Sequence, residues 1–355
     1  MRLSPRTPAP RHRRRHVGRV AWVVLLLCGL AVAGRGAASA LTTASTGTDA
    51  TATSGLTMKD FSVTRSGTTY VVKYWSNAAL SQPDPAVRNV VVTVHGDSRN
   101  ADDYARYTAD AASLAGKAST TVVVAPWFAA SSDAPRANQL YWTSDGWKHG
   151  AESVATGRAW TVSSFAVVDA MVAQANRSFP NARITVTGHS AGGQFVQRYV
   201  AFTGQTLVSR YVPMNAGSYL YLDAQRWAGG TRRALTAAEQ KACSGWNSYK
   251  YGLSKRTGTV ATRTVDQVRA AYGAARVTYL LGGLDTTVDS SLDTGCSATW
   301  EGANRLVRGQ QFFAALPKVL GADAVGTHTL VVVPGVAHLG GTMIRSAEAR
   351  ALLFP

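Results

Sequence analysis

The stretch Gly188-His189-Ser190-Ala191-Gly192-Gly193 constrains this chain more than any other. It follows the pattern G-x-S-x-G. The β-branched run Arg183-Ile184-Thr185-Val186-Thr187 precedes it and predicts a short buried strand. Residues 194–200 follow with apolar positions at helical spacing. A serine on such a sharp strand-to-helix turn is held in a strained backbone conformation that bulky neighbours obstruct. Gly188 and Gly192 clear that space. The turn lifts the hydroxyl above the sheet edge, and the helix beginning there points backbone N–H groups at a developing anion. Ser190 is therefore the candidate nucleophile. The competing reading is an ordinary glycine-rich turn; the flanking strand and helix argue against it.

The first forty of the 355 residues do not read as part of a fold. Residues 1–19 carry seven arginines and no acid, residues 20–34 are an apolar run, and Ala38-Ser39-Ala40 is a small-residue cleavage site. These three regions predict a secretory signal peptide, residues 1–40, and hence a secreted protein. An uncleaved anchor is the alternative, but the apolar run is short of the roughly 20 residues a span needs. No stable membrane insertion is expected after cleavage. Arg14-Arg15-His16-Val17 hints at a twin-arginine signal but departs from the fuller pattern at Gly18, so the export route stays open. Leu25-Leu26-Leu27-Cys28 resembles a lipoprotein box, except that Leu27 is too large for its place. Residues 41–55, rich in Thr, Ser, Ala and Gly, predict a flexible leader. Residues 56–355 are enough for one large catalytic domain.

Without the eight arginines of residues 1–40, the chain keeps 29 basic and 20 acidic residues, a net charge of +9. No Lys/Arg run survives, and no nucleic-acid-binding module is present, so no nucleic-acid partner is expected. A basic surface without runs reads as a solvated one, or as weak attraction to anionic extracellular polymer. Two cysteines remain, Cys243 and Cys296. An even count in an exported chain predicts one disulfide, against two free thiols, and their spacing excludes a zinc knuckle.

Residues 61–65 and 69–75 flank Ser66-Gly67 and predict an antiparallel hairpin. Buried strands are expected at 89–95, 121–125, 183–187, 207–213, 276–281 and 329–333. Helices are expected at 101–114, 161–179, after the Ser190 turn, and at 264–272, 300–316 and 342–352. Alternating strands and helices imply an α/β class with a mostly parallel, doubly wound sheet of about eight strands. Two long inserts, 127–160 and 219–263, interrupt the alternation and would shape or cover a site.

A serine nucleophile needs a base. Five histidines lie beyond residue 40. His189 is in the turn itself, His95 ends a strand, and His328 starts one at the wrong end of the sheet. His338 follows the last strand through Pro334-Gly335-Val336-Ala337 and is the candidate base; His149 is in reserve. The orienting acid should follow a strand between serine and histidine. Asp285, just past Leu281-Gly282-Gly283-Leu284, fits, with Asp289 and Asp293 as rivals. Oxyanion donors would be the backbone N–H of Ala191 and one from the loop after Gly96, at Asp97 or Ser98. Arg99 and Asn100 lie just beyond and are candidate substrate contacts, unless Arg99 simply pairs with Asp102 or Asp103. Eight tryptophans remain beyond the signal, most of them in or beside the inserts. Trp142 and Trp147 are candidates for an aromatic mouth that stacks on sugar or aryl groups; the alternative is that they pack the inserts onto the core.

Together His95-Gly96-x-x-Arg99-Asn100, Gly188-His189-Ser190-Ala191-Gly192-Gly193-Gln194 and Gly282-x-x-Asp285 resemble the secreted α/β-hydrolase superfamily in its esterase and lipase branch. The likeness covers roughly residues 89–355 and, from Gln194 to Tyr199, is to poorly characterised secreted members. It implies the α/β-hydrolase fold, a triad of Ser190, Asp285 and His338, and oxyanion donors at Ala191 and Asp97. Ala337 stands where many members have glycine. The expectation is a serine hydrolase that cleaves carboxylic esters, acting as a monomer on polysaccharide, plant phenolic or polyester. No cofactor and no metal are expected. Peptide or amide hydrolysis on the same residues, and a silent binding protein of this fold, remain alternatives.

Overall fold

The computed structural model describes residues 55–321 and 326–355. The expected signal peptide lies outside the described residues, as does the leader apart from Gly55. The described residues belong to the unit Ala50–Pro355.

In chain order the elements are β1 (Thr57–Arg65), β2 (Thr68–Ser76), β3 (Asn89–Val94), α1 (Ala101–Leu114), β4 (Thr121–Pro126), α2 (Ser164–Ser178), β5 (Arg183–His189), α3 (Ala191–Phe202) and β6 (Val208–Met214). Then follow β7 (Gln225–Ala228), β8 (Thr231–Ala234), α4 (Ala237–Ala242), α5 (Val265–Ala274), β9 (Val277–Gly282), α6 (Cys296–Thr299), α7 (Arg305–Leu320), β10 (His328–Val333), α8 (Gly340–Arg345) and α9 (Ala347–Leu353). The main sheet has eight strands in the order β1-β2-β4-β3-β5-β6-β9-β10. β1 pairs with β2, and β2 with β4, in antiparallel fashion; every other pairing is parallel. β3, β4 and β9 are buried at every residue, as strands covered on both faces must be. β3 lies between β4 and β5, so chain order reverses beside β5. A crevice opens there at the carboxyl ends of the strands.

Several helix starts differ from the pattern-based expectation because side-chain caps set them. α2 begins at Ser164, not 161, where the Ser163 hydroxyl accepts from Phe165 N–H at 3.2 Å. The helix expected over 300–316 is instead the short α6 and then α7, whose start is fixed by Asn304 accepting from Val307 N–H at 3.0 Å. The expected helix 342–352 is two pieces divided at Ser346, which caps Ala349 N–H at 3.1 Å.

The inserts are more ordered than expected. Residues 219–263 hold the β7–β8 ribbon and α4. Residues 127–160 are packed down by their aromatics. Trp142 and Trp147 are fully buried, which corrects the expectation that they line a mouth. Trp147 stacks on Phe128 with centroids 5.8 Å apart, and Phe128 stacks on Phe195 of α3 at 5.2 Å. Trp142 lies edge-on to Phe128 and donates its indole N–H to the Ala151 carbonyl at 3.1 Å. Burying such rings gains more than exposing them.

Cys243 and Cys296 are disulfide-bonded, with Cα atoms 5.8 Å apart. The bond ties the end of α4 to the start of α6. Closing a loop of this separation, 53 residues, contributes about 4 kcal/mol in the chain-entropy picture. The paired substitution Cys243→Ala, Cys296→Ala should lower Tm and loosen residues 219–263 first. Calorimetry with hydrogen exchange checks this; unchanged Tm and exchange would refute it.

Candidate active site

Four loops meet at the carboxyl ends of β3, β5, β9 and β10. At the end of β5 the chain turns straight into α3. Ser190 sits in that turn with φ 60° and ψ −118°, a conformation L-residues occupy only under constraint. The glycines at either side are needed sterically. A Cβ at Gly192 would lie 2.1 Å from the Val94 carbonyl oxygen, and one at Gly188 2.6 Å from the Gly192 backbone. The turn is held from below by Ser190 N–H donating to the Met214 carbonyl at 3.0 Å.

The structure brings Ser190, His338 and Asp285 into one hydrogen-bonded line. Ser190 Oγ is 2.9 Å from His338 Nε2, and His338 Nδ1 is 2.8 Å from Asp285 Oδ2. A carboxylate accepts, so Nδ1 carries the proton and Nε2 is left to accept from the serine hydroxyl. Asp285 is buried, whereas the His338 ring keeps partial access to solvent. The rival acids are engaged elsewhere. Asp289 pairs with Arg305 at 3.0 Å, and Asp293 accepts from Tyr251 Oη–H and from Gly295 N–H.

The other histidines have structural partners. His95 Nε2 accepts from Phe128 N–H at 3.1 Å, and burial lowers its pKa to about 4. His189 lies between the Tyr104 hydroxyl and the Asn215 amide, each at 3.3 Å, and burial holds its pKa well below the usual value. It stays neutral beside His338, 4.7 Å away between ring centroids, and so adds no competing charge there. His328 bonds Tyr279 and the Tyr272 carbonyl. His149, the reserve candidate, lies against Asp145 at 3.3 Å and lines a separate hollow with Tyr249 and Lys255.

Ser190, Ala191 and Asp97 line one cavity of about 380 Å³. Ala191 opens α3, where backbone N–H groups lack intrahelical partners. Arg99 and Asn100 do not line this cavity. Arg99 pairs with neither Asp102 nor Asp103. Its guanidinium grips Asp133 by two bonds, 2.8 and 3.0 Å, and so fastens the β3–α1 loop to residues 131–133. Asn100 donates to Asp103 at 2.8 Å. Both are internal ties, which corrects the expectation that they contact substrate.

The cavity wall also contains groups the sequence did not single out. Lys148 reaches Asp97 at 2.8 Å and Asp145 at 3.0 Å, and Lys250 reaches Asp145 at 3.0 Å. This chain of ion pairs crosses from the β3–α1 loop through one insert to the other. The His149 hydrogen bond and the two lysines hold the Asp145 carboxyl well below the usual range. Against the cost of burial, Asp97 and Asp145 keep the Lys148 ammonium charged. Gln194, Tyr251, Ser290, Ser291, Leu292 and Asp293 complete the lining, which is predominantly polar. Only the folding together of segments 100 residues apart, as with Asp145 and Lys250, makes this wall. Among the described residues no cluster of His, Cys, Asp or Glu is arranged to hold a metal ion, and no helix is long and apolar enough to cross a membrane.

No family model matches the chain, and no curated protein matches it. Solved structures do. A poly(aspartic acid) hydrolase from Sphingomonas sp. KT-1 is 25% identical, with a TM-score of 0.60 over 84% of this chain and 98% of the other. A poly(3-hydroxybutyrate) depolymerase from Bordetella parapertussis is 21% identical, with a TM-score of 0.59 over 84% of this chain and 94% of the other. Sheet order, the Ser190 turn and these neighbours agree: the chain has the α/β-hydrolase fold and takes its place in that superfamily.

Proposed function

We propose that the chain is an exported serine hydrolase that cleaves carboxylic esters through a Ser190 acyl-enzyme. The observation that carries this is the hydrogen-bonded line from Ser190 through His338 to Asp285. Ser190 Oγ attacks the acyl carbon as His338 Nε2 takes its proton. The tetrahedral oxyanion forms beside the Ala191 N–H and the Asp97 loop. His338 then gives the proton to the departing alcohol, and water reverses the sequence to release the acid. Asp285 holds the imidazole tautomer and balances the imidazolium charge. No step calls on a cofactor.

The cavity wall bears on the substrate. Asp97, Asp145, Lys148, Lys250 and Tyr251 surround Ser190, and Leu292 is the only sizeable aliphatic side chain. Desolvating paired charges under a long alkyl chain is costly. Burial of Trp142 and Trp147 also leaves Tyr251 as the one aromatic side chain among the described residues of the wall, too little for the broad stacking mouth a phenolic substrate would favour. The substrate class is therefore a short, hydrophilic acyl unit repeated in an extracellular polymer, a polyester or an acylated polysaccharide. Amide cleavage is the second reading. It is favoured by the neighbour that is 25% identical, a poly(aspartic acid) hydrolase.

Purified residues 41–355 should hydrolyse acetate and butyrate p-nitrophenyl esters and 3-hydroxybutyrate oligomers faster than a palmitate ester. Release of aspartate oligomers from poly(aspartic acid), with no ester cleavage, would move the reading to the amide. Preference for palmitate, or no turnover on the whole panel, would overturn it.

A further inference from the structure

Among the described residues four arginines are fully buried: Arg198, Arg226, Arg305 and Arg308. Burying a guanidinium is costly unless it is paired and hydrogen-bonded, so each must have a use. Three of them satisfy main-chain carbonyls and neutral side chains. Arg198 binds Gln194, Ser218 and the Lys250 carbonyl. Arg226 binds the carbonyls of Asp223, Trp246 and Tyr251. Arg308 binds those of Gly302, Gly217 and Asp293. Of the four, only Arg305 forms ion pairs with carboxylates, and one of these is Asp285.

The geometry is specific. Arg305 is the first residue of α7. Its Nη1 lies 3.6 Å from Asp285 Oδ1, and both side chains are essentially without solvent. Asp285 Oδ2 is taken by His338, while Oδ1 receives no hydrogen bond from the described residues. The same guanidinium donates to Asp289 at 3.0 Å and to Ser291 at 2.7 Å. The next residue, Leu306, donates its N–H to the Asp285 carbonyl at 3.2 Å. The start of α7 is thus a post around which residues 285–291 are wrapped.

We infer that Arg305 is a positioning residue for the acid of the proposed triad, setting a fixed positive charge against Oδ1 of Asp285 and keeping Oδ2 turned toward His338. The inference rests on the reaction proposed above. A carboxylate with one oxygen unbonded in a dry site is unstable as an anion; an adjacent guanidinium is what lets it stay charged. The charged and titratable groups facing Asp285 and His338 are Arg305, Asp289 beyond it, neutral His189 against the imidazole, and Tyr219. Among the described residues, Arg305 is the one lysine or arginine that pairs with Asp285.

The test is a pH profile. The active Asp285–His338 pair carries one net negative charge and loses activity when it takes up a proton. A fixed positive charge beside it opposes that uptake, whichever of the two groups receives the proton. Arg305→Met should therefore lower kcat at least tenfold, change KM for a small ester less than twofold, and move the acid limb of kcat to higher pH by about one unit. Arg305→Lys keeps the charge and should hold the limb near the wild-type position, with a smaller loss of kcat. Arg305→Gln replaces the Met variant if that chain does not fold. Asp289→Asn, which weakens only the outer anchor, should leave kcat near wild type and move the limb little, and then downward. A wild-type limb in either folded neutral variant, or an equal upward shift in Arg305→Lys, overturns the inference. So does a loss in Asp289→Asn as large as that in Arg305→Met, since the role would then be only to anchor the loop. Ser190→Ala separates the two readings: if it remains active the reaction itself is misassigned, and if it is inactive while Arg305→Met is normal only Arg305 is.

Discussion

If the proposed reaction holds, Ser190→Ala should lower kcat on every ester that the wild-type chain cleaves by about 10⁶-fold, the scale seen when the nucleophile of a catalytic triad is removed. The remaining rate reflects substrate binding and the donors around the oxyanion. Stability changes little. Ser190 is half-buried, and its Oγ has His338 as its partner, so the lost bond costs about 1 kcal/mol. Alanine has the same Cβ and meets the same positive φ. Initial rates on purified protein, with loss of labelling by a fluorophosphonate probe, check the expectation. A rate within tenfold of wild type would end the acyl-enzyme reading.

Asp285→Asn should lower kcat by about 10⁴-fold with a smaller change in KM. The amide can present its NH₂ to Nδ1, which then must accept; the proton moves to Nε2, and the ring can no longer take one from Ser190. The fold should survive, because Arg305 keeps its ion pair with Asp289. Steady-state kinetics beside Asp289→Asn and Asp293→Asn decide the matter. If one of those two is the crippling change, the acid is misassigned.

The features legible in the sequence share one physical basis. β-branched runs alternating with helical periodicity determined the layered α/β class, because a strand buried on both faces leaves few other options. G-x-S-x-G between a strand and a helix located the turn at Ser190. Asp285 and His338 could be picked out because each lies just past a strand, and parallel strands all end on one side of the sheet. The pairing of Cys243 with Cys296 followed from their even number together with the expected export of the chain. The backbone sets these positions, and backbone preference is local.

Tertiary structure decided what depended on the packing of distant segments. Trp142 and Trp147 could form a mouth or pack inward, because the aromatic content of an insert does not say which way it faces; Phe128 and Phe195 draw the insert inward. Arg99 was expected to meet substrate or to pair with Asp102 or Asp103, but its fork found Asp133, 34 residues away. Lys148, Asp145 and Lys250 carry no motif, and the pairs that set them in the wall, Lys148 with Asp97 and Lys250 with Asp145, join segments distant in the chain. Helix starts are set just after the caps Ser163, Asn304 and Ser346 because single hydrogen bonds fix caps, whereas periodicity fixes only faces. Arg305 stood unremarked at the start of a helix until the fold set it against Asp285. A charge takes its role from its nearest buried partner, and that partner is fixed by the way the chain packs.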